Sequence, residues 1–165
     1  MAKIGETKRI QFLAMERPRI EYVDREYIPY SNVTSLRHNR KDQFYYVNIH
    51  MMLAVPFGNN VTMHFYFYEW LTNQYKRGFI EMHLPACILI HKNKFFGTAL
   101  RGYFPSTCPI PVGDYHLYNM TVPVDQIPRG FPFTKGRIYC NITIDNNNKL
   151  IGSAHIDIEL KTISI

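Results

Sequence analysis

The chain has 165 residues, 46% hydrophobic and 19% charged, with a mean hydropathy of −0.22; this suits one domain with a real core and excludes a disordered tail. No uninterrupted apolar run approaches the roughly 18 residues of a membrane-spanning helix. The net charge is +6 and the pI near 9.2, but the basic residues are scattered, with no block of five or six, so a nucleic-acid partner is not expected.

Twelve Tyr, eleven Phe and one Trp make up 15% of the residues, and ten Pro punctuate them, which favours β structure. In chain order, residues 9–13 and 19–23 read as two strands. Residues 28–42 read as turn-rich and charged. Residues 43–53 form a long strand with Tyr45, Val47, Ile49 and Met51 on one side. Turn chemistry at 56–60 leads to a strand at 61–70, with Val61, Met63, Phe65 and Phe67 on one face and His64, Tyr66 and Tyr68 on the other. These two strands are expected to pair as an antiparallel hairpin. The stretch 84–96 fits either a strand or a short helix after Pro85. In 137–144, Ile138, Cys140, Ile142 and Ile144 alternate with polar neighbours. After a turn at 145–148, Ala154, Ile156, Ile158 and Leu160 do the same, giving a second hairpin with one buried and one wet face. Seven or eight such strands without a repeat or linker predict a single all-β domain over residues 1–165, a two-sheet antiparallel sandwich or open cup.

Four Asn-x-Ser/Thr sequons begin at Asn32, Asn60, Asn119 and Asn141, where the composition predicts about one by chance. They point to a secreted, extracellular glycoprotein; a lysosomal lumen is a weaker expectation. The first residues lack the apolar core of a signal peptide; a secreted chain would then be a mature form behind an added Met, whereas a native Met1 would weaken the secretion argument. Of the three cysteines, Cys140 lies on the alternating apolar face as a small hydrophobe, which leaves Cys87–Cys108 as the expected disulfide.

No nucleophile elbow, phosphate loop or His-Glu-x-x-His motif occurs. The seven histidines never fall at i, i+4, and Asp157 and Glu159 read as solvated on one strand face. No catalytic residue, cofactor or metal centre is expected. The aromatic load exceeds ordinary core needs. Either a dense aromatic core or two sheets that fail to close around an apolar ligand would use it. Phe131 and Phe133, between Gly130 and Gly136 and flanked by Arg129, Lys135 and Arg137, suggest an apolar loop with a basic rim.

The segment Cys108-Pro-Ile-Pro-Val-Gly113-Asp-Tyr115-His-Leu117 resembles the Cys-Pro-x-x-x-Gly-x-Tyr-x-Leu stretch of the lysosomal ganglioside activator family. The likeness continues through Pro128, Gly136-Arg137-Ile138, Lys149-Leu-Ile-Gly152 and Ile158-Glu-Leu-Lys161. The chain is also similar to the insect secreted relatives that include the chemosensory B proteins, an ML-like lipid-recognition group. The resemblance covers roughly the last third of the chain and implies a β-cup around a hydrophobic lipid cavity, without catalysis. It places Phe131 and Phe133 at the cavity mouth. The expected cavity walls are Phe65, Phe67, Trp70, Phe79, Ile138, Ile142, Ile156 and Ile158, with Arg129, Lys135 and Arg137 steering an anionic head group. The expected partner is a lipid or other apolar small molecule, with an anionic membrane surface or a glycan as further candidates, and the expected state is a monomer or weak homo-oligomer. The rival reading is an extracellular glycan-binding or pattern-recognition β-sandwich.

Overall fold

A computed structural model describes residues 9–42, 44–93, 100–123, 134–145 and 147–164. Among the described residues, nine strands, β1 (Arg9–Val23), β2 (Tyr30–Leu36), β3 (Tyr46–Leu53), β4 (Val61–Leu71), β5 (Gln74–Pro85), β6 (Gly113–Met120), β7 (Val122–Pro123), β8 (Lys135–Ile144) and β9 (Lys149–Ser164), form two antiparallel sheets. The wide sheet has the order β5-β4-β8-β9-β1-β7, and the narrow one β2-β3-β6. A six-residue helix, α1 (Ala86–His91), follows β5.

The alternation at 137–160 gives the β8–β9 hairpin at the centre of the wide sheet. Ile138 faces Ile156, Cys140 faces Ala154, and Ile142 faces Gly152. The predicted strands at 9–13 and 19–23 are one strand. It runs through an irregularity at Arg17, which has φ 52, and Pro18, and both halves pair with β9. Arg17 and Pro18 stand against the single residue Ile156 of β9, a bulge that shifts the register by one and leaves both halves paired with the same strand.

The predicted hairpin of 43–53 with 61–70 does not form. β3 pairs with β2 and β6, whereas β4 pairs with β5 and β8, in the other sheet. The turn chemistry at 56–60 crosses between sheets instead: Phe57 bridges Ile110 by two backbone hydrogen bonds of 2.9 and 2.8 Å. Both strands are aromatic and alternating, so period alone could not say which sheet each would join. The segment 28–42, read as turns, holds β2, and the ambiguous stretch after Pro85 is helical.

The sheets face each other through two buried clusters. One gathers Ile28, Leu53, Phe57, Ile90, Ile110 and Leu117 at the α1 end. The other gathers Leu13, Phe65, Phe67, Leu89, Ile138 and Ile158. The Ser35 hydroxyl donates to the Met15 carbonyl, tying β2 to β1 along one flank. Cys87 on α1 and Cys108 are joined by a disulfide, with Cα atoms 5.9 Å apart. It fixes the helix to the segment that leads into β6, as the cysteine count predicted.

Candidate functional site: a hollow between the sheets

Between the facing sheets lies a cavity of about 340 Å³. Its wide-sheet wall is built from rows of cross-strand partners. One row runs Met63, Ile142, Gly152, Val23; the next runs Phe65, Cys140, Ala154, Ile20. Each row steps down in size at β9, the strand beside the sheet's middle. The opposite wall is Val33 of β2, Val47, Ile49, Met51 and Leu53 of β3, and Leu117 of β6. Ala86, Leu89 and Ile90 of α1, with Phe57, Phe104 and Ile110, close one end.

Inward-facing residues on central strands are normally sealed. Here Met63, Cys140, Ile142, Ala154 and Ile156 remain only half-buried although β4, β8 and β9 are flanked on both sides. Their exposure is to the hollow. Tyr22, 45% exposed, and Asn32, also exposed, lie among the lining residues where it meets the surface. Nearly every lining group is hydrocarbon. The Cys140 thiol joins the wall, and burial pushes its pKa up to about 12, so it stays protonated and uncharged.

Of the expected wall residues, Phe65, Ile138, Ile142 and Ile156 line the hollow. Phe67, 2% exposed, and Ile158 sit in the solid cluster beside it. Trp70 and Phe79 are not wall residues. Trp70 follows the even-numbered outer face of β4, packing on Tyr75 with ring centroids 4.7 Å apart and lying under Lys135 Nζ at 5.0 Å. Phe79 is 88% exposed: it shares the outward parity of Arg77 and Glu81, the partners of outward Tyr68 and Tyr66, while Ile80 turns inward. Phe131, Phe133 and Arg129 lie outside the described residues. Lys135 and Arg137 stand on the outer face; Arg137 is committed to Asp157, so neither borders the hollow.

Asp157, read as solvated, is 5% exposed and takes Arg137 Nε at 2.6 Å and Arg17 Nε at 2.9 Å. Burial alone would raise its carboxyl pKa, but the bonds from Arg137 and Arg17 outweigh that and hold it below the usual carboxylate range. Around this pair the outer face is aromatic and basic. Tyr66, Tyr68 and Tyr139 line a shallow groove with Arg77 and Asn141, and Arg77 lies 4.7 Å over the Tyr66 ring. Of the sequon asparagines, Asn32, Asn60 and Asn119 are exposed, whereas Asn141 is half-buried and accepts from the Ser153 hydroxyl at 2.8 Å.

Residues 61–138 match a family described as a protein of unknown function (DUF1091). The match spans β4, β5, α1, the disulfide, β6, β7 and the start of β8, just under half of the chain. No curated protein matches the chain.

Sequence reasoning missed one constellation. His50, Asp114 and His116 meet on the outer face of the narrow sheet, with their ligating atoms all within 4.8 Å of one another. The chain separates His50 from the other two by more than sixty residues, so spacing could not find it. The i, i+2 placement of Asp114 and His116 on one strand face was the only signal.

Proposed function

We propose that this protein binds an apolar or amphipathic ligand in the hollow between its sheets and carries or presents it without catalysis. The observation that supports this is the half-exposed hydrocarbon wall at the middle of the wide sheet. The volume of about 340 Å³ falls in the range of ligand pockets, and it exceeds twofold an engineered apolar cavity that takes up benzene. An acyl chain entering such a space gains about 0.8 kcal/mol per CH₂, so the protein needs no charged group inside to bind it. The likeness of the last third to the ganglioside activator family and its insect secreted relatives points the same way. The four sequons and the disulfide support a secretory setting.

The test is native mass spectrometry of protein purified from its natural source, followed by extraction. A lipid adduct that disappears on extraction, and uptake of a fluorescent fatty-acyl probe by the stripped protein, would support the proposal. Protein that neither carries an adduct nor takes up the probe would refute it. The outer groove of Tyr66, Tyr68, Tyr139, Arg77 and Asn141 favours a second reading, glycan recognition on flat aromatic faces. Glycan binding lost in Tyr68→Ala and indifferent to cavity variants would mark that reading.

A further inference from the structure

We propose that the outer face of the narrow sheet binds one divalent transition-metal ion, zinc or copper, through His50, Asp114 and His116. The site is independent of the hollow. His50 on β3 and His116 on β6 are direct cross-strand partners, so their side chains leave the same face side by side. Asp114 is two residues before His116 and shares that face. Its carboxylate meets the Nε2 edge of both rings: His50 Nε2 is 2.5 Å from Oδ1 and His116 Nε2 is 3.3 Å from Oδ2.

The same nitrogen of each imidazole therefore converges on one carboxylate. In a tetrahedral zinc site, bonds of about 2.0–2.2 Å put neighbouring ligand atoms about 3.4 Å apart. The two contacts are to different carboxylate oxygens, and with one ligand atom from each residue the three lie within 4.8 Å of one another, so side-chain rotations of about an ångström would bring them to that spacing. Two imidazoles and a carboxylate form a set that suits zinc and copper rather than calcium or magnesium, and solvent would complete the coordination. The rings are also braced. His50 stacks on His116 with centroids 3.8 Å apart, Tyr30 packs against His50 at 4.6 Å, and Tyr118 lies parallel to His116 at 5.8 Å.

The other close histidine pair lacks this geometry. His64 and His83 approach through their Nδ1 atoms at 2.6 Å, while the nearest carboxylate, Glu81, meets His83 at the opposite nitrogen. A bound ion at His50 would pin β3 to β6 from outside, across the strands whose alternate residues Ile49, Met51 and Leu117 form the cavity wall.

The experiment is titration of chelator-stripped full-length protein with zinc chloride at neutral pH, by calorimetry, with the melting temperature read in parallel. The expected result is one saturable site and a zinc-dependent rise in melting temperature. His50→Ala, His116→Ala and Asp114→Asn should each weaken binding at least about tenfold, with the far-ultraviolet circular dichroism and metal-free melting temperature unchanged. His64→Ala should bind as the parent does. Absence of saturable binding, a His50→Ala/His116→Ala double variant that still binds, or loss of the site in His64→Ala would overturn the assignment.

Discussion

Arg137 Nε donates to Asp157 Oδ1 at 2.6 Å, and the two residues are direct partners across β8 and β9. Arg17, lifted by the irregularity in β1, takes the other carboxylate oxygen. One buried acid thus joins three strands of the wide sheet. Asp157→Ala leaves Arg137 half-buried without its partner and should cost about 3 kcal/mol in urea unfolding. The pH dependence follows from the depressed carboxyl pKa. A group whose folded value lies below its unfolded value stabilises fully above the ordinary carboxylate range, and that contribution disappears as pH falls through the folded value. The gap in stability between the parent and Asp157→Ala should be wide at neutral pH and shrink in strong acid. A gap independent of pH would contradict this account.

Gly136 lies where β8 comes too close to β4 for a side chain. A Cβ placed there would lie 2.3 Å from the Tyr68 carbonyl oxygen, which is backbone and cannot swing aside. Gly136→Ala should force β4 from β8 and destabilise by roughly 3 kcal/mol or prevent folding. Gly102→Ala, where nothing lies within 4 Å, is the control and should be nearly neutral.

Ala154 is the small member of a row whose neighbours are Cys140 and Ile20. Ala154→Phe should occupy the hollow and weaken uptake of a fatty-acyl probe at least about tenfold. Because the added ring enters empty space, the melting temperature should hold or rise. Unchanged uptake would place the ligand elsewhere.

Burial raises the Cys140 pKa to about 12 and keeps the thiol protonated, so it should react with a disulfide reagent far more slowly in the native protein than in urea. Equal rates in the two states would show that Cys140 does not face a dry wall.

Alternation made the β8–β9 hairpin legible because both strands bury one face and wet the other. At β3 and β4 alternation gave the inward faces, Val47, Ile49 and Met51 and Met63, Phe65 and Phe67, but not the pairing, because the signal for pairing is in the partner's register, not in the strand itself. β5 was missed for a related reason: it is an edge strand whose outward residues, among them Phe79, are not reliably polar. The hollow was half legible. Phe65, Ile138, Ile142 and Ile156 are apolar residues with the right parity, whereas Trp70 shares the outward parity of Tyr66 and Tyr68. The opposite wall, Val47 to Leu53 and Leu117, needed the sheet-to-sheet crossing at Phe57, which no local pattern announces. Asp157 looked like any strand-face acid until Arg17, 140 residues away, was brought beside it.

Six strands face three, and the narrow roof cannot touch all of the broad floor beneath it. Where it does not, oil-like side chains must meet either water or cargo. Water held against such a surface is an unfavourable resting condition, so stripping the molecule bare should lower its tolerance of heat. On the proposed function, the protein and its ligand would then melt as one.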